Sequence, residues 1–174
     1  MNPDIVAIDE CHIDLIYGFA VALKPNNILE VGYGSGRTTN ALIRACDKNN
    51  LGKITLVDSW YDWHGNKPDL NGIENNSRIE LIVSTEENFV RNCNNKFDLI
   101  VSDADHTSSH QWWQQTIDLL NEGGIALFHD VTNNDFPNLK NIILQSEVKY
   151  KTKVFNKSSS SHERCERGLL VLFK

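Results

Sequence analysis

Short apolar runs of strand length alternate with segments of helical period along almost the whole chain. The runs fall at 27–32 (NILEVG), 53–58 (KITLVD), 78–83 (RIELIV), 97–103 (FDLIVSD) and 124–130 (GIALFHD). Most are continuously apolar, as strands buried on both faces must be. Helical patterns occupy 36–47, 85–93, 107–121 and 137–147. Another precedes the first strand: over 5–23, Ile5, Ile8, Ile13, Ile16, Phe19, Ala20 and Leu23 recur at helical spacing until Lys24-Pro25-Asn26-Asn27 stops them. Parallel strands joined by right-handed crossover helices leave few topologies open. The expected fold is therefore α/β, a three-layer Rossmann-like architecture with a mostly parallel seven-stranded sheet between helices. The last two strand-like runs, 148–155 and 168–174, have no helix between them and are expected to close the sheet as a C-terminal antiparallel hairpin. A length of 174 residues suits one domain spanning 1–174, because such a chain buries roughly 70% of its unfolded surface around one core.

Composition narrows the partners. Lys and Arg total 17 against 23 Asp and Glu, a net charge of -6, and the basic residues scatter except for Lys151, Lys153, Lys157, Arg164 and Arg167. A nucleic-acid surface needs a continuous basic face, so no nucleic-acid partner is expected. No apolar run approaches the roughly 18–20 residues that span a bilayer, and Met1-Asn2-Pro3-Asp4 lacks the basic start of a secretory signal. Cys11, Cys46, Cys93 and Cys165 are too dispersed for a zinc site or a disulfide framework. They read as reduced thiols of a cytoplasmic protein.

Chemistry concentrates at two places. The first is Glu30-Val31-Gly32-Tyr33-Gly34-Ser35-Gly36, a strand running through a glycine-rich turn into a helix. Ligands of open α/β sheets bind at this end of the strands, and glycine admits positive φ and close backbone approach. A dinucleotide fingerprint would need glycine at 37, where this chain has Arg37. The spacing is instead Glu-x-Gly-x-Gly-x-Gly, with Asp58 closing the second strand, where a carboxylate can accept both ribose hydroxyls of a nucleoside. A tight turn that binds nothing is the plain alternative.

The second place is Asp103-Ala104-Asp105-His106 after the fourth strand, facing His129-Asp130 after the fifth. Adjacent parallel strands would bring both groups to the same edge, where Asp and His can hold a divalent ion or move protons. Each of these residues could equally cap a helix or make a turn. His12, His64, His110 and His162 have no evident partner in the sequence, and Trp112 and Trp113, adjacent on one helix, are expected to point to different faces. The weakly periodic stretch 59–77 reads as either a lid or a degraded crossover helix.

The glycine turn resembles the first motif of class I S-adenosylmethionine-dependent methyltransferases, and the Asp-His constellation resembles the metal-dependent small-molecule O-methyltransferases, including the catechol and caffeoyl-coenzyme A enzymes. It is similar also to the cephalosporin-hydroxylase-like and sugar O-methyltransferase branches, and the likeness covers roughly residues 27 to 135. The resemblance implies S-adenosyl-L-methionine as cofactor, held by Glu30, Gly32, Tyr33, Gly34, Gly36, Thr38, Asp58, Ser59, Trp60, Ser84 and Asp103. It implies His106 and Asp103 as the catalytic pair, with His106 where several relatives carry a lysine. It places a divalent cation, magnesium or manganese, at Asp103, His129 and Asp130; His129 departs from the usual carboxylate and leaves both the metal and its presence open. The implied acceptor is a small-molecule hydroxyl, and its pocket is expected to be open, completed by 59–77, or shared with a second copy in a homo-oligomer. N-methylation or aminopropyl transfer, and a non-catalytic nucleoside-binding or scaffold domain, stay open as alternatives.

Overall fold

A computed structural model of the chain describes residues 8–59, 70, 72–156 and 167–174. Seven strands, β1 (Asn27–Val31), β2 (Lys53–Asp58), β3 (Ile79–Val83), β4 (Phe97–Ser102), β5 (Leu120–His129), β6 (Lys151–Phe155) and β7 (Leu169–Phe173), form one sheet in the order β3-β2-β1-β4-β5-β7-β6. Strands β1 to β5 pair in parallel, and β7 lies antiparallel between β5 and β6. The expected mostly parallel sheet with its closing hairpin is present.

Among the described residues five helices flank it: α1 (Glu10–Leu23), α2 (Arg37–Asn49), α3 (Glu86–Asn92), α4 (Ser109–Asp118) and α5 (Lys140–Ser146). Successive residues of a strand point to opposite faces, so the continuous apolar runs feed two cores. Ile28, Leu56, Leu99 and Leu127 pack on one face with Ile16 of α1 and Leu42 of α2. Leu29, Val57, Ile100 and Phe128 pack on the other with Phe89 of α3, Trp113 and Ile117 of α4 and Ile142 of α5. The two tryptophans of α4 diverge as their adjacency requires. Trp113 is buried and donates its Nε1–H to Gln145 Oε1 at 2.8 Å, while Trp112 lies under the Arg91 guanidinium at 4.7 Å from its ring centroid.

Several boundaries differ from the sequence reading, those around α4 for a visible physical reason. Helix α4 starts at Ser109, not 107, because Asp105 makes the preceding turn: its Oδ1 accepts from the Thr107 N–H and Oγ1, and its Oδ2 from Ser108 Oγ at 2.7 Å. It also ends earlier, at Asp118, since β5 begins at Leu120, which pairs with Phe97 ahead of a register shift. Of the stretch 59–77, the described part contains one turn of 3-10 helix, Ile73–Asn75; the question of a lid falls on residues outside those described.

The crossover out of β1 passes close to the end of β4. Gly32 has φ +92°, and a Cβ there would stand 2.3 Å from the backbone oxygen of Asp103. Both facts select glycine, and the second arises from the protein itself and not from a ligand. Gly32→Ala is expected to cost about 2–5 kcal/mol, combining a left-handed residue with an overpacked contact against rigid backbone. Urea unfolding of the variant measures it; an unchanged midpoint would show that the turn and β4 are less tightly apposed.

Candidate active site

The strand order reverses between β1 and β4, and in such sheets the crevice at the carboxyl ends beside that point is where ligands bind. A cleft of about 820 Å³ opens there, within the usual range for a small-molecule site. One side is the glycine turn with Asp58, Ser59 and Ser84; the other carries Asp103, His106, His129 and Asp130.

Backbone hydrogen bonds stitch this edge together. The Gly32 N–H donates to the Val57 carbonyl, the Asp103 N–H to Val31 and the Ser84 N–H to Asp58, each at 2.9 Å. Asp58 Oδ2 accepts from the Tyr33 N–H at 2.7 Å, which fixes the carboxylate against the turn. Tyr33, Gly34 and Thr38 line the cleft. Gly36 does not line it: its φ of +74° begins α2, and a Cβ would meet the Tyr33 ring. Trp60 lies outside the described residues.

Glu30 also stands back from the cleft surface, only 1% exposed near the carboxyl end of β1. Thr39 Oγ1 donates to its Oε1 at 2.9 Å, while Oε2 has no hydrogen-bond partner. Burial, the dominant influence, pushes its pKa up to about 8; Thr39 pulls against this, and the charges of Asp103 and Asp58 add to it. A carboxyl whose folded pKa exceeds its ordinary value binds more protons folded than unfolded between those two values. Its contribution to stability is therefore complete below about pH 4.5 and is lost as pH rises through about 8. Glu30→Gln should flatten that part of the stability profile and leave the ligand-free variant more stable than wild type at pH 9. Thermal melts from pH 5 to 9 check this, and parallel profiles would place the carboxyl in a wetter setting.

The opposite wall is a chain of histidines and carboxylates. His129 Nδ1 lies 3.2 Å from both Asp103 Oδ1 and Asp130 Oδ2, and its Nε2 lies 3.1 Å from His12 Nδ1. His106 Nε2 meets Asp130 Oδ2 at 3.0 Å, and its ring rests against Phe136 with centroids 4.8 Å apart. Asn133 Nδ2 donates to the other oxygen of Asp130 at 3.0 Å. Burial alone would lower the pKa of His129, but Asp103 and then Asp130 outweigh it and push the pKa up to about 10. His106 is likewise raised against its burial, by its Asp130 hydrogen bond and the Asp103 charge. The two imidazoles hold Asp130 far below the usual carboxylate range, again against burial.

The structure thus brings Asp103, His106, His129 and Asp130 together and assigns Asp105 to a turn. Two buried groups escaped the sequence reading. His12 of α1, for which no partner was evident, is fully buried with its ring 5.1 Å from that of His129 at a steep angle. Glu86, 6% exposed in the first turn of α3, accepts from Ser109 Oγ at 2.6 Å and has Ser102 and Thr116 hydroxyls at 3.4 Å; burial raises its pKa. The Asp9-x-x-His12 spacing, which places two ligand-type residues on one helical turn, was the only local signal for His12.

A Rossmann-like sheet with an acidic strand-end residue beside a glycine turn defines a nucleoside-type cofactor fold. A family model described as a methyltransferase domain matches residues 29–131, and the chain belongs to that family. No curated protein matches the chain. Among solved structures it is similar to a protein of Klebsiella pneumoniae provisionally described as an O-methyltransferase (TM-score 0.76, 14% identity, covering 97% of this chain and 81% of that one). It is similar also to the O-methyltransferase of Bacillus cereus in complex with S-adenosylhomocysteine, SAH (TM-score 0.71, 16% identity, 97% and 83%). An rRNA methylase of Streptococcus thermophilus shares the fold as well (TM-score 0.68, 15% identity, 97% and 99%). The resemblance to class I methyltransferases therefore holds at the level of family and fold. Among the described residues, no helix is long and apolar enough to cross a membrane.

Proposed function

We propose that this protein transfers a methyl group from S-adenosyl-L-methionine to the hydroxyl of a small molecule. The observation that carries the reading is the convergence in one cleft of the glycine turn and Asp58 with the Asp103-His106-His129-Asp130 group. The residues fit the cofactor: Glu30 Oε2 is buried without a partner beneath the turn, ready for a cationic or hydrogen-bonding group, and Asp58 at the end of β2 suits the ribose hydroxyls. When bound, the cofactor's sulfonium supplies an electrophilic methyl.

The chain's own task is to place and deprotonate the acceptor. In-line placement of the acceptor oxygen supplies much of the acceleration in reactions of this kind. His106 in its neutral form donates its Nε2–H to Asp130 Oδ2 and takes the hydroxyl proton at the other ring nitrogen, Nδ1, so that Asp130 steadies the imidazolium that results. Because its neighbours raise the His106 pKa above 6.5, the neutral form and the rate should grow as pH rises past that raised value. Asp103, His129 and Asp130 offer ligand atoms within 4.8 Å of one another, a donor set that fits a divalent cation. Such a cation would lower the pKa of a bound hydroxyl.

A small acceptor is favoured over a polyanion because the cleft is walled by Asp58, Glu86, Glu87, Asp103, Asp105 and Asp130, and a phosphate backbone needs the opposite charge. Incubation with methyl-labelled S-adenosylmethionine and a panel of catechols, sugars and hydroxy acids, read by mass spectrometry, tests the reading. A labelled methyl ether together with SAH is expected. Failure to bind any nucleoside would replace it with the scaffold alternative.

A further inference from the structure

We propose that Asp9, His12 and the Nε2 atom of His129 form a second, inner cation site that takes an ion of the zinc class. It lies behind the cleft wall, and it stands whether or not the methyl-transfer reading holds.

Asp9 is the residue preceding α1, 3% exposed, and neither of its carboxylate oxygens has a hydrogen-bond partner. A buried carboxylate without partners is costly and calls for a positive charge. The nearest group is His12 Nδ1, 3.6 Å from Asp9 Oδ2. His12 Nδ1 faces His129 Nε2 at 3.1 Å, and the three ligand atoms all fall within 4.8 Å of one another.

Those separations suit a metal as well as they suit a hydrogen bond. Ligand atoms about 2.0–2.1 Å from a tetrahedral zinc are roughly 3.3 Å apart, between the observed 3.1 and 3.6 Å. Two imidazoles and one carboxylate select zinc or a similar borderline ion over magnesium. The outer shell is already built. A ligating histidine usually donates its other N–H to a carboxylate; with Nε2 on the inner ion, His129 Nδ1–H donates to Asp103 and Asp130 at 3.2 Å, so His129 serves the inner ion and leaves the two carboxylates alone to a cation at the cleft wall. The start of α1 is also tied to the cofactor turn, since Arg37 donates to the Ile8 carbonyl at 3.1 Å and pairs with Glu10 at 2.9 Å. An inner ion would thus fix both the His129 ring and the helix start that borders the cleft.

The test is equilibrium dialysis against zinc with elemental analysis on wild type, Asp9→Asn, His12→Gln and Asp103→Asn. Circular dichroism on each variant confirms the fold independently of any cofactor binding. Wild type should retain zinc after removal of free metal, and Asp9→Asn and His12→Gln should each bind one equivalent less. Asp103→Asn, which removes a cleft-wall carboxylate but none of the inner ligands, should keep the inner ion with lower affinity. Zinc should also raise the melting temperature of wild type and not of folded Asp9→Asn. The proposal is overturned if wild type binds no zinc, or if folded Asp9→Asn and His12→Gln bind as much as wild type.

Discussion

Replacing His106 with Gln is expected to reduce kcat by roughly 10²- to 10⁴-fold, the usual worth of a positioned general base, while leaving SAH affinity nearly unchanged. The asymmetry follows from position. His106 stands on the carboxylate wall beside Asp130 and Phe136, across the cleft from the glycine turn. Glutamine keeps much of the volume and a hydrogen bond to Asp130, so the loss reports proton transfer more than collapse. The wild-type rate should rise with pH to a plateau above the ordinary histidine pKa, since the Asp130 bond and Asp103 charge outweigh burial; in the variant that limb should vanish. A variant with wild-type kcat and an unaltered pH profile would remove His106 from the reaction.

The second large effect belongs to Asp58. Its carboxylate at the end of β2 is held by the Tyr33 N–H at 2.7 Å, leaving it placed to accept ribose hydroxyls. Hydrogen bonds to a charged acceptor are worth about 1.5–3 kcal/mol each, so Asp58→Ala should weaken SAH binding by about 2–4 kcal/mol, roughly 30- to 1000-fold. Part of that loss will come through Tyr33, whose N–H loses its acceptor. Asp58→Asn separates the two contributions, because the amide oxygen can still accept from Tyr33 but carries no charge. Equal affinity in all three proteins, measured by calorimetry, would move the nucleoside away from β2.

The sheet was legible in the sequence because parallel strands buried on both faces leave continuous apolar runs. NILEV, KITLV and FDLIV each fill two cores, and their shortness and alternation with helical segments marked them as strands. The glycine turn was legible for a related reason, although Gly32 and Gly36 answer to Asp103 and Tyr33 more than to a ligand. Strand-end chemistry could also be read: Asp103 and His129-Asp130 follow neighbouring strands, and pairing brings them to one edge. What escaped was burial at a distance. His12 and His129 are 117 residues apart and meet only because α1 packs across the sheet. Glu86 reads as an ordinary acidic residue in a first turn until Ser109 of α4 closes over it. Neither contact has a local period or motif.

A crystal structure of the protein with SAH would locate the nucleoside outright. The ribose hydroxyls are expected on Asp58, the methionine end over the glycine turn above Glu30, and the sulfur facing the wall that carries His106. SAH bound elsewhere, or absent at saturating concentration, would contradict this placement.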